Sequence, residues 1–175
     1  MKKMFSIVVL FLVLSSFSTQ EKIKEKADRE IEKFYNIETF STEIISISVE
    51  VNTKMASEFR EDNFFKILSR GNFLGYAYIG NAPSKTATFD YLVLFNENFI
   101  ITKSKVLVYR EEYGGEIGSR RWLKQFDGAS PASHELKYNQ DIIPISGATI
   151  SVHSMTKAMN NLLQSIGYLR KNSLI

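Results

Sequence analysis

The sequence contains no cysteine. That absence excludes disulfides, thiol catalysis, iron–sulfur clusters, haem held through a Cys-x-x-Cys-His motif and a lipid anchor on cysteine. Histidine is nearly as scarce: His134 and His153 are the two present, and they are not spaced as metal ligands. A strong excess of one charge is missing as well. The net charge is +3 and the basic residues are scattered, whereas a nucleic-acid binder concentrates them on one face. No nucleophile elbow, no credible carboxylate pair and no histidine with an evident partner is present, which argues against a hydrolase. Redox chemistry in such a chain has to come from an organic cofactor.

What is present is ordinary globular material. With 44% hydrophobic and 23% charged residues over 175 positions, the chain can build one cored domain with a short N-terminal extension. Lys2 and Lys3 precede an apolar run from Met4 to Leu14, and Ser15-Ser16-Phe17-Ser18 follows it. A charged start, an apolar run of secretory length and a small-x-small exit read as a signal peptide over 1–18. The run is shorter than the about 20 residues of a membrane span; an uncleaved N-terminal anchor is the second reading. Both put the rest of the chain outside the cytoplasm, in the periplasm or on the extracytoplasmic face of the membrane. The expected division is 1–18 signal peptide, 19–70 a helix–strand–helix region, and 71–175 the main domain.

Periodicity then suggests the elements. Ile23, Ala27, Ile31 and Phe34 recur at helical spacing from Gln20 to Tyr35. Ile45, Ile47, Val49 and Val51 alternate with polar residues, predicting a half-buried strand from Glu43 to Asn52. Ser57 to Leu68 reads as a helix capped by Ser57, with Phe64, Phe65 and Leu68 on its apolar side. Strands are predicted over 73–79, 86–95 and 99–109. A loop at Gly80–Ser84 separates the first two, and a turn at Asn96-Glu97-Asn98 makes the last two an antiparallel pair. Lys85 in the exposed loop is a phosphate contact or a solvated lysine. Ser119 to Phe126 reads as a short capped helix, and the final helix runs from about Ser151 to Ile166 with Gly167 as its stop. The fold class is therefore α+β, an antiparallel sheet of about four or more strands with flanking helices.

Two stretches stand out chemically. Ser146-Gly147-Ala148-Thr149-Ile150-Ser151 places small residues just ahead of the last helix. The leading N–H groups of a helix lack internal partners and carry its positive dipole end, so this is either a capped turn or a resting place for a phosphate. Upstream, Glu111-Glu112-Tyr113-Gly114-Gly115-Glu116-Ile117-Gly118 has three glycines in five residues. It reads as a strand-to-helix loop or as a wall against a flat ligand. It is neither an NTPase phosphate loop nor a dinucleotide fingerprint.

The hexapeptide resembles the flavin-attachment motif of the FMN-binding domain family. That family includes flavin-bearing components of the sodium-translocating NADH:quinone reductase and of the Rnf electron-transport complex. The likeness extends from about Leu74 to Ile166 in the order strands, glycine-rich loop, short helix, loop, Ser-Gly-Ala-Thr, helix. It implies FMN as cofactor, carried by a phosphodiester on Thr149, with Ser146, Gly147, Ala148 and Ile150 beside it. In the second landmark it matches Glu112, Gly115, Ile117 and Gly118. Trp122 then packs near the flavin or anchors the core. The resemblance further implies an electron-transfer carrier, more a component of a redox assembly than a stand-alone catalyst. Its implied partners are a flavin transferase and redox proteins at or near the membrane, with no nucleic acid. Where the family has an aspartate three residues ahead of Ser146, this chain has Ile143, and the nearest carboxylate is Asp141. The alternative reading is an exported binding or interaction protein of the same fold without covalent flavin.

Overall fold

The computed structural model describes residues 2–175, with side chains from residue 19 onward. The signal expected over 1–18 therefore lies outside the described side chains. Five antiparallel strands form one sheet in the order β1-β2-β3-β4-β5: β1 (Ser41–Ile44), β2 (Phe64–Ser69), β3 (Asn72–Pro83), β4 (Thr88–Phe95) and β5 (Ile101–Tyr109). Helix α1 (Lys2–Tyr35) covers one face and α4 (Thr149–Lys171) the other. The α+β fold with an antiparallel sheet and flanking helices is as expected.

Period-two alternation explains the two-sided core. In β4, Phe89, Tyr91, Val93 and Phe95 pack toward α4, while Leu92 and Leu94 pack toward α1. A strand apolar on both sides has to be covered on both sides. On the α4 face the helix contributes Val152, Met155, Met159, Leu162 and Ile166, all fully buried. On the α1 face Ala27 and Ile31 are fully buried, on the stripe that the helical spacing predicted. Glu30 ties that helix to β5 through Lys103 at 2.9 Å and Lys105 at 3.3 Å. Burial works against the Glu30 carboxylate, but the two lysines outweigh it and hold its pKa below the ordinary value.

The region before β3 differs from expectation. The alternating stretch 43–52 is not one strand: β1 ends at Ile44, and α2 (Val49–Asn52) is a single helical turn capped by the Ser48 hydroxyl, which accepts from the Val51 amide at 3.3 Å. The cap takes one of the N–H groups that a helix start leaves without an intrahelical acceptor. The stretch 57–68 is not a helix. The Ser57 amide is taken by the Ser165 hydroxyl of α4 at 3.0 Å, and Phe64 opens β2. Phe64 enters one core and the adjacent Phe65 the other, which a strand permits and a helix does not. Strand β3 also runs through the expected loop at Gly80, pairing with β4 as far as Pro83 opposite Thr88.

Past β5 the chain follows the predicted order. A 3₁₀ turn at Gly115–Gly118 leads to α3 (Arg120–Leu123), capped by Ser119, and to a second 3₁₀ turn at Lys124–Phe126. Helix α4 does not stop at Gly167 but continues to Lys171. A Cβ at Gly167 would stand 3.3 Å from the Pro131 side chain, so that glycine serves a close approach rather than a helix end.

Candidate functional site

Four segments meet where α4 begins: the β3–β4 hairpin tip, the end of β5, the glycine-rich loop, and the turn Ser146-Gly147-Ala148. Gly147 has φ +77° and a Cβ there would meet nothing within 4 Å, so the turn is open on that side. Ala148 occupies the N-cap position with no side-chain cap among the described residues. The first helical bond is Val152 N–H to the Ala148 carbonyl at 2.9 Å. The N–H groups of Thr149, Ile150 and Ser151 therefore lie at the positive helix end without intrahelical acceptors. Thr149 is exposed at the first helical position.

Beneath this turn runs a chain of hydroxyls. Ser151 is 2% exposed. Its Oγ lies 2.5 Å from Ser84 Oγ and 3.1 Å from the Tyr109 hydroxyl. Tyr109 donates to the Tyr113 carbonyl at 3.0 Å. A phenol has one proton to give, so the order runs Ser84 to Ser151 to Tyr109 to Tyr113. This chain joins the hairpin tip and the glycine-rich loop to the first turn of α4.

The glycine-rich loop touches the motif through Gly114. Its φ is +81°, and a Cβ there would fall 2.5 Å from Ala148 Cβ and 3.1 Å from the Tyr109 hydroxyl. The other matched glycines are less crowded: Gly115 has nothing within 4 Å, and Gly118 only Val106 Cβ at 3.9 Å. Ile117 is fully buried and fixes the loop to the core. Glu112 is exposed, while its neighbour Glu111 grips the hairpin tip. The Glu111 carboxylate accepts from Thr86 N at 2.7 Å, Thr86 Oγ1 at 2.8 Å and Ala87 N at 3.0 Å. The Thr86 amide, the Thr86 hydroxyl and the Ala87 amide hold its pKa at about 2. Asp90, its side chain 8% exposed, ties Arg110 at 2.5 Å and Asn81 at 2.7 Å, securing the start of the loop. Lys85 is exposed at the tip.

Trp122 is 6% exposed. Its indole N–H donates to the Ile143 carbonyl at 2.8 Å, and the Ile143 amide donates to Gln125 Oε1 at 2.7 Å. Together these two side chains hold the approach to the motif. Ile143 itself is 66% exposed. Asp141 is committed elsewhere, accepting from Lys137 N at 2.8 Å and pairing with His134 Nε2 at 3.1 Å. The Lys137 amide and the imidazole hold its pKa below the ordinary value. One turn beyond Thr149, His153 stacks on Tyr138 at 3.8 Å. No group of three metal-ligating side chains occurs among the described residues.

The structure thus brings Ser146, Gly147, Ala148, Thr149 and Ile150 together in one exposed turn, and packs the glycine-rich loop on it. Gly114, Glu111, Tyr109 and Ser84 were not singled out from sequence. Their roles depend on a contact across the fold; only the glycine cluster itself was a usable signal for Gly114. The donor set fits a phosphate: free N–H groups at a helix start, a threonine hydroxyl and no carboxylate in the turn. Residues 86–164 match the sequence model of the FMN-binding domain, and FMN is the cofactor this match assigns. No curated protein matches the chain.

Proposed function

We propose, from residues 86–164 as a member of the FMN-binding domain family with FMN as its cofactor, that the protein is an exported electron carrier whose flavin is bonded through phosphate to Thr149. FMN, when bound, supplies transfer of one or two electrons. The observation that carries the covalent reading is the exposed Thr149 hydroxyl at the uncapped start of α4. In attachment an activated flavin phosphate, a flavin nucleotide in phosphoanhydride linkage, is the donor: Thr149 Oγ1 bonds to the flavin-side phosphorus, the anhydride P–O bond breaks, and the hydroxyl proton leaves with the released nucleotide phosphate. The N–H groups of Thr149, Ile150 and Ser151 offset the charge that the phosphate keeps. Gly147 and Ala148 leave the approach open, and the Ser84–Ser151–Tyr109 hydroxyls hold the first turn in place. Tyr113 at 74%, Ile143 at 66% and Ile150 at 49% exposure supply apolar surface from the segments flanking Thr149, where a flat ring can lie out of water. Export rests on the charged and apolar pattern of residues 1–18.

A second reading, flavin held without a covalent bond, is favoured by one feature. The position three residues before Ser146 is the exposed, uncharged Ile143, and Asp141 is already engaged. A flavin transferase that reads an aspartate there finds none. Intact mass separates the two readings. Protein made with a flavin transferase in an exporting host gains one FMN less one water, and Thr149→Ala loses that gain. Yellow protein of unmodified mass supports the second reading. Colourless protein that takes up no added FMN removes both.

A further inference from the structure

A cleft of about 970 Å³ lies away from the motif; none of residues 146–151 lines it. It opens between the 20–24 stretch of α1, the 56–63 loop, the end of β3 and the 154–161 stretch of α4. Its volume is in the range of small-molecule sites. We propose that this cleft is a second ligand site, for an uncharged flat ring compound bearing an acceptor oxygen that takes a hydrogen bond from Tyr91.

The floor carries the argument. Tyr91 is 2% exposed, lines the cleft, and its hydroxyl has no hydrogen-bond partner among the described residues. Three polar neighbours are already engaged. Tyr78 donates to the Glu58 carbonyl at 3.1 Å, Asn63 donates to the same carbonyl at 3.1 Å, and Asn81 donates to Asp90 at 2.7 Å. The hydroxyl opens on the cleft, where water stands in for a protein acceptor, and a ligand oxygen that accepts from it keeps that hydrogen bond when the water is displaced. Burial, with the Tyr78 phenol adding to it, pushes the Tyr91 pKa upward, so this group remains a neutral donor.

The shape is made by small residues. Tyr91 lies across its strand partner Gly80, where a Cβ would stand 2.3 Å from the ring. Any side chain at that position would clash with the ring where it now lies. Ala82 and Ala158 complete walls with little bulk. The rim selects against charge. Lys24, Arg60 and Lys157 stand against Glu21, Glu58 and Asp62, and the fourth carboxylate, Asp90, is paired with Arg110 from outside the cleft. Arg60 is itself held by Glu58 at 2.9 Å and Asp62 at 3.0 Å. A charged ligand would give up hydration with no net field to replace it, whereas a neutral ring gains from burial.

The test uses the full chain and two probes of one ring system, neutral 2-naphthol and anionic 2-naphthoate. Titration followed by amide chemical shifts is expected to move Gly80, Tyr91 and Ala158 with 2-naphthol, and 2-naphthoate is expected to bind at least about tenfold more weakly. Tyr91→Phe keeps the ring and weakens 2-naphthol roughly three- to tenfold, the range for one neutral hydrogen bond. Ala158→Leu narrows the cleft from α4 and abolishes saturable binding, with an unchanged melting temperature reporting an intact fold. No shift at these amides up to on the order of 1 mM 2-naphthol, equal binding of the two probes, or unaltered affinity in Tyr91→Phe each overturns the proposal. The wild-type titration stands on its own if a variant fails to fold.

Discussion

Replacing Gly114 by alanine tests whether the glycine-rich loop is built to pack on the motif. Two costs add. Alanine at φ +81° carries a left-handed penalty of about 1–2 kcal/mol. The added methyl would also sit 2.5 Å from Ala148 Cβ, a contact no rotamer change can relieve because both atoms are fixed to backbone. Forcing one methylene into a packed site costs about 1–3 kcal/mol. The expected loss is therefore about 2–5 kcal/mol in urea unfolding, the sum of these two ranges. The strain falls on Ala148, so flavin content after production with the transferase should fall with it. Gly115→Ala is the control: its Cβ meets nothing within 4 Å and its φ is not positive. That variant should be neutral or stabilised by up to about 1 kcal/mol. A Gly114→Ala protein within about 0.5 kcal/mol of wild type, or one no worse than Gly115→Ala, would refute the packing argument.

The Glu111 grip on the hairpin tip predicts a pH dependence. Its folded pKa of about 2 lies below the unfolded value near 4.5, so the stabilisation is complete above the unfolded value and disappears as pH falls toward the folded one. Hydrogen-exchange protection of the Thr86 and Ala87 amides should decline over that window, and Glu111→Gln should remove the decline; constant protection across it contradicts the assignment. Trp122→Phe withdraws the donor to the Ile143 carbonyl and should cost about 2 kcal/mol in denaturant unfolding, as a lost buried hydrogen bond with some packing. A change under about 0.5 kcal/mol would mean that Trp122 does not hold this segment.

Much of the candidate site was legible because it is local. Small residues ahead of a helix start announce an open, donor-rich turn, and the spacing of Val152, Met155, Met159 and Leu162 reports the face that α4 buries. The stretch from 57 to 68 misleads because Phe64, Phe65 and Leu68 are spaced as if on one side of a helix. Burial on opposite faces of a sheet, which decides the matter, leaves no mark in a short apolar run. Gly167 misleads for a similar reason: its sequence context fits a helix stop, and only the nearness of Pro131 shows another use.

The sequence by itself determined that no thiol is available, the antiparallel sheet with flanking helices, and the turn that presents Thr149. These follow from residue type and short-range periodicity, which act over a few positions. Tertiary structure alone decided that Glu111 rather than Glu112 grips the hairpin tip, and that Gly114 is the glycine pressed on Ala148. It also decided that Ser84, 67 residues from Ser151, supplies the first hydroxyl in the chain beneath the motif. Those choices are made by distances between segments far apart along the chain, and such distances exist only once both faces of the sheet have been covered.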